Sequence, residues 1–148
     1  MSSKKPFSVN LAALSREFGV SEPTLYTYMD ILDKTNIFKS MKKFSVKLSR
    51  KPQKLLFSNT NILYSYSNKF NIEVDVGAVR ETFFINCFDN IFYSDVGDFK
   101  VGDYLFEVGG KSKKFTQIKD IENSFLAVDI DFSTTNNKIP LWLFGFLN

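Results

Sequence analysis

Apolar positions recur first with a helical period. Leu11, Leu14 and Phe18 predict a short amphipathic helix, and Gly19 stops it. Ser21 is a natural N-cap, with Pro23 tolerated in the first turn, and Leu25, Met29 and Leu32 then form one face of a second helix running to about Thr35. From Ile37 to Phe57 the period changes: Val46 and Leu48 alternate with Lys47 and Ser49, as in a solvated hairpin. Pro52 to Asn71 reads as a connector with a strand at Leu55–Phe57 and a short helix near Ile62 to Ser67. Val79, Phe83, Phe84, Cys87 and Phe88 make a broad stripe on a helix over Val76 to Asp89, which Asn90 breaks. Short strands follow at Ile91–Tyr93, Phe99–Val101 and Tyr104–Val108, with Gly102-Asp103 as the hairpin turn. A short helix over Phe115 to Asn123, a strand over Phe125 to Phe132 and an apolar stretch from Ile139 to Leu147 complete the chain.

Two helices joined by a Gly-Val-Ser turn and followed by a basic hairpin form the winged helix-turn-helix pattern. The helix that normally precedes the pair is not visible in residues 1–10, so the module begins abruptly, as expected of a fragment of a longer chain. Charge sharpens the division. Residues 1–58 carry eleven Lys/Arg against four Asp/Glu, whereas residues 59–148 carry eight against twelve, a split hidden by the net charge of +3. Two modules are therefore expected, 1–58 and 59–148, in an α+β chain. From Lys34 to Lys54 there are eight Lys/Arg and no acid. This stretch makes double-stranded DNA the expected partner of the first module. Thr24, Tyr26 and Thr27 would face a major groove, and Lys39, Lys42, Lys43 and Lys47 would hold phosphates. The competing reading is a solvated face, and Asp30 and Asp33 on the second helix weigh toward it.

The chain has 148 residues, one cysteine and no histidine. That excludes intramolecular disulfides, Cys/His zinc sites and His-based triads. Cys87, in an apolar helix, is expected to be simply buried. No apolar run reaches the roughly 18 residues of a membrane span. No hydrophobic signal region follows Met1-Ser2-Ser3-Lys4-Lys5, and a cytoplasmic location is expected. The terminal Leu141-Trp142-Leu143-Phe144-Gly145-Phe146-Leu147 has almost no polar face, which points to burial or docking, self-association included.

Asp98, at a turn, and Glu107, inside an apolar run, lie in one predicted hairpin, and Glu81 lies on the preceding helix. Helix, three strands, helix and strand with acids at these points resemble the PD-(D/E)xK nuclease fold, a restriction-endonuclease-like α/β domain. The residues Gly19-Val20-Ser21, Thr24-Leu25-Tyr26, Tyr28, Arg80 to Phe84, Gly97-Asp98-Phe99, Phe106 to Lys111, Gln117-Ile118 and Ile139 to Leu147 extend the likeness. With them, nearly the whole chain resembles the C-terminal half of a family of prokaryotic AAA-type ATPases, in which a winged helix precedes a nuclease-like domain of unknown function. The resemblance implies an ATPase domain as partner. It also implies Mg²⁺ held by Asp98 and Glu107, help from Glu81, and a lysine serving the nucleophile.

The chain departs from that pattern where the lysine belongs. Two residues past Glu107 stands Gly109. Lys111, four residues on, shares the strand face of Glu107 but lies roughly 13 Å along it unless Gly109-Gly110 form a bulge. Gly109-Gly110-Lys111-Ser112 is not a phosphate-binding loop, because Leu105 stands where its first glycine is needed. The expected function is thus a DNA-binding or interaction fragment of an ATPase-linked protein with a degenerate nuclease-like domain. Mg²⁺-dependent DNA cleavage through Glu81, Asp98, Glu107 and Lys111, or protein docking without nucleic acid, are the alternatives.

Overall fold

The computed structural model describes residues 10–44, 52–132, 135 and 137–147. The chain is α+β. Helices α1 (Leu11–Phe18) and α2 (Glu22–Lys34) are joined by Gly19 at φ 63°. The Ser21 side chain accepts from the Thr24 N–H and caps α2, the role its position predicts. An antiparallel pair follows, β1 (Phe38–Lys42) and β2 (Pro52–Phe57). The alternation at Val46 and Leu48, and Lys47 with it, lies outside the described residues.

Helices α3 (Thr60–Phe70) and α4 (Val76–Asn86) lead into a five-stranded sheet. Its strands are β3 (Phe92–Tyr93), β4 (Phe99–Val101), β5 (Tyr104–Gly110), β6 (Ser124–Asp129) and β7 (Lys138–Pro140), in chain order across the sheet. The first three are antiparallel; β6 and β7 run parallel to β5. No helix among the described residues is long and apolar enough to cross a membrane.

Strand β2 starts at Pro52 rather than Leu55 and so takes in Lys54, β6 ends at Asp129 rather than Phe132, and two further elements differ from the sequence expectation. Residues 115–123 do not form a helix; they make one 3-10 turn, Phe115–Gln117, and then bend. Ile118 is fully buried, and the Ser124 hydroxyl lies 2.7 and 2.6 Å from the carbonyl oxygens of Ile118 and Ile121. Asn123 at φ 55° then turns the chain into β6. Helix α4 ends at Asn86 rather than Asp89 because Lys39 reaches across from β1. Its ammonium donates to the carbonyl of Ile85 (2.9 Å), an unpaired acceptor of the last turn, and to that of Phe88 (2.7 Å) just beyond the helix.

The main core is aromatic. The Phe84 ring is wholly buried and meets Phe88, Phe99, Phe106 and Phe144 with centroids 4.9–5.8 Å apart. Met41 and Leu56 of the N-terminal hairpin belong to this same cluster. Leu55 instead packs on a smaller core of Leu11, Leu25 and Met29. Neighbouring strand residues point to opposite faces, so β2 is wedged between the two cores. The side chain just before this pair, Lys54, is thereby fixed in place.

Candidate active site

The site is built around the β4–β5 hairpin. A turn over residues 94–97 closes with the Ser94 N–H donating to the Asp98 carbonyl at 3.2 Å. Gly97 is needed there, because a Cβ on it would lie 2.9 Å from the Phe106 carbonyl oxygen. The Asp98 N–H donates to that same carbonyl at 2.9 Å, although Phe106 is already paired with Phe99. Two residues thus oppose one, as at a β-bulge, a device that re-aims a side chain. The Asp98 carboxylate accepts the Val108 N–H at 2.8 Å, beside Glu107.

Glu107 is 1% exposed. Its Oε1 lies 2.8 Å from the Lys113 ammonium, and its Oε2 has no hydrogen-bond partner. The lysine brought to Glu107 is therefore Lys113, not Lys111. Strand β5 stays in regular parallel register through Gly109↔Val128 and Gly110↔Asp129, so no bulge folds Lys111 back. Lys111 is exposed in the turn beyond the strand. The Lys113 N–H donates to the Gly110 carbonyl at 2.9 Å, which returns the chain over β5. The Lys113 stem then fills the volume that a side chain at Gly109 would take, with its carbons 2.8–2.9 Å from an ideal Cβ there.

Glu81 on α4 pairs with Lys54 of β2, whose ammonium lies 3.1 and 3.0 Å from the two carboxylate oxygens. Burial pushes the Glu81 pKa above the ordinary carboxylate value; Lys54 pulls it back, and the charges of Asp98 and Asp75 add to the rise. Burial pulls Lys113 downward. Its hydrogen bond to Glu107 and the charges of Asp98, Glu107 and Glu81 outweigh that and hold its pKa above the ordinary lysine value. Glu81, Lys54, Asp98, Glu107 and Lys113 thus form one electrostatic unit, with the exposed Asp75 at its edge. Arg80 stands apart, on Asp129 at 3.1 Å, and Gln117 is exposed.

The expected nucleic-acid contacts fare unevenly. Lys39 is turned inward onto α4, and Lys43 is paired with Asp95. Neither is a free phosphate-binding cation in this conformation. Tyr26 packs on the small core, and the Thr24 hydroxyl bonds the cap residue Ser21. Thr27 is exposed, with its hydroxyl on the Pro23 carbonyl at 3.2 Å; Lys42 is half-buried. Glu81, Asp98 and Glu107 all lie near enough to act on the charge of Lys113, and two lysines that strand spacing does not reveal, Lys54 and Lys113, pair with Glu81 and Glu107. The available signal was the pair Gly109-Gly110, which leaves both room and a turn for a lysine just downstream.

Among the described residues, no group of three or more His, Cys, Asp or Glu side chains is placed to hold a metal ion. Mg²⁺ asks for less: it keeps several waters and takes one or two carboxylates. The Oε2 of buried Glu107, without a hydrogen-bond partner, is a donor open to such an ion. No protein-family model, no curated protein and no solved structure matches the chain.

Proposed function

We propose that this chain engages nucleic acid and carries a Mg²⁺-dependent phosphodiester-cleaving site of the PD-(D/E)xK kind. The observation that carries the reading is Glu107. A buried carboxylate with one oxygen on a lysine and the other on nothing is costly to leave as it stands, and an ion or water is the usual remedy. Asp98 and Glu107 would hold the ion, which when bound polarises a phosphate oxygen and sharpens an attacking water. Lys113 supplies the lysine whose absence from position 109 argues for a degenerate site. An ammonium held on Glu107, it would steady negative charge on the water or the phosphate rather than take a proton. Glu81 is the acid set back from these two, occupied by Lys54.

The order α1, turn, α2, β1–β2 supports a winged helix as the nucleic-acid module, with double-stranded DNA as substrate and Thr27 and Lys42 on its accessible side. The resemblance to AAA-type ATPases supports such a domain as its working partner. The test is cleavage of double-stranded DNA in Mg²⁺ or Mn²⁺ by wild type, Glu107→Gln and Lys113→Met. Wild type is expected to cleave, with both variants reduced by two or more orders of magnitude, on the scale of losing a charge-stabilising group. Equal activity in wild type and Glu107→Gln would remove the site from the reaction.

A second reading is docking without chemistry. Exposed Phe132, Trp142, Leu143, Phe146 and Leu147 favour it, with the Trp142 indole fixed on the Asp131 carbonyl at 3.0 Å. Sedimentation of wild type against Phe146→Ser tests self-association at this face.

A further inference from the structure

We infer that the site is shared between the two halves of the chain: Lys54, from the N-terminal hairpin, is its second phosphate-binding cation and holds a backbone phosphate of the nucleic acid alongside Lys113. This rests on the reading of Asp98 and Glu107 given above.

Three observations carry it. First, Lys54 is the only cation of β1 and β2 that reaches the acid cluster among the described residues. Lys39 is committed to main-chain carbonyls and Lys43 to Asp95, whereas Lys54 lies on Glu81, which itself feels Asp98. Second, its placement is stiff. Leu55 and Leu56 anchor the strand in two separate cores, and the ammonium sits 5.6 Å from the Phe99 ring centroid and 5.8 Å from that of Tyr93. A lysine so held offers a positioned, partly dehydrated charge, which is what recognition of a phosphate requires. Third, the charges fit. Leaving out the solvent-exposed Asp75, the buried and half-buried groups Glu81, Asp98 and Glu107 with Lys54 and Lys113 sum to −1, and one divalent cation would bring them to +1, the complement of a phosphodiester. Without Lys54 the same unit would be neutral.

The pair with Glu81 is the resting arrangement; the phosphate replaces Glu81 as the partner of Lys54. Binding of the backbone and engagement of the cleavage site are then one event, because a single strand belongs to both.

The test uses the full chain, with Lys54→Met and Lys54→Arg, in two assays: Mn²⁺ titration by calorimetry, and Mn²⁺-dependent cleavage of double-stranded DNA under single turnover over a range of protein and salt concentrations. Lys54→Met is expected to bind Mn²⁺ at least as tightly as wild type, because it takes a positive charge away from the acid cluster and unpairs Glu81. Its half-saturating concentration for DNA should rise by roughly tenfold, and the slope of log affinity on log salt should fall by about one. Lys54→Arg should recover most of both. Half-saturation and salt slope unchanged in Lys54→Met would overturn the inference, and so would equal losses in the Arg and Met variants, which mark a packing role. Should Lys54→Met not fold, Glu81→Gln decides: freeing Lys54 should tighten DNA binding measured in EDTA, and unchanged or weaker binding overturns the inference. A wild type that neither binds Mn²⁺ nor cleaves sinks the underlying site instead, so the two failures are separable.

Discussion

Lys113 lies where a side chain at Gly109 would be, and that one substitution of space explains why the site was only half legible. Asp98 and Glu107 could be read from the sequence, because an acid at a hairpin turn and an acid inside an apolar strand are both conspicuous. Lys113 could not, because its contact depends on the turn from Gly110 to Lys113 and on a missing Cβ, neither of which is a matter of strand alternation. Lys39 was misread for a similar reason. Its partners are carbonyls at the end of α4, and carbonyls leave no mark in a sequence. Gly109→Ala is expected to push Lys113 off Glu107 and to lower stability by about 1–3 kcal/mol, the usual cost of overpacking. Thermal unfolding measures the loss, and a fully stable variant would mean the Lys113 stem is loosely held. At Glu81 the raised pKa sets a sign. The folded form binds this proton more tightly than the unfolded chain, so the group's contribution to stability is largest at low pH and is lost as pH rises through the raised value. Wild type should therefore gain stability relative to Glu81→Gln as pH falls from neutral toward the ordinary carboxylate range. A difference in melting temperature that does not change with pH would contradict this.

At the scale of elements, the helical period and the caps gave reliable guidance. Gly19 and Ser21 end and begin helices in the places their chemistry dictates, and the β4–β5 turn falls at Gly102-Asp103, with Gly102 at φ 57°. The crossover between β5 and β6 did not follow its pattern. Its Ile118 and Ile121 are spaced as on a helix, but the Ser124 hydroxyl takes both carbonyls, and the Ile121 N–H donates to Ile118 in a 3-10-type turn rather than an α-helical bond. The nuclease resemblance expects a helix there, and the chain instead uses that segment to carry Lys113 over the sheet. Helix α4 is held by its aromatic contacts more than by its own propensity. Phe84→Ala is expected to cost about 3–5 kcal/mol, with denaturant unfolding as the measurement. A loss under about 1 kcal/mol would mean the surrounding rings collapse into the space.

For the whole molecule, the charge split between residues 1–58 and 59–148 suggested two modules, and the packing adds what charge could not. Met41 and Leu56 of the basic half lie in the main core, and Lys54 lies in the acid cluster of the other half. Part of the basic charge is thereby consumed within the fold, on α4, Asp95 and Glu81. The salt slope of DNA affinity should consequently be shallower than eight free cations would give.

The central claim is that Glu107 and Asp98 form a divalent-cation site, with the unpartnered oxygen of Glu107 as its key ligand. The most direct test is thermal unfolding of wild type and Glu107→Gln, each in millimolar Mn²⁺ and in EDTA. Occupancy at about ten times the dissociation constant stabilises the fold by roughly 1.4 kcal/mol, a rise of about 3–5 °C for a chain of this size. Wild type should show that rise and Glu107→Gln should not. The same melting temperature for wild type in Mn²⁺ and EDTA, or the same rise in both proteins, would contradict the account.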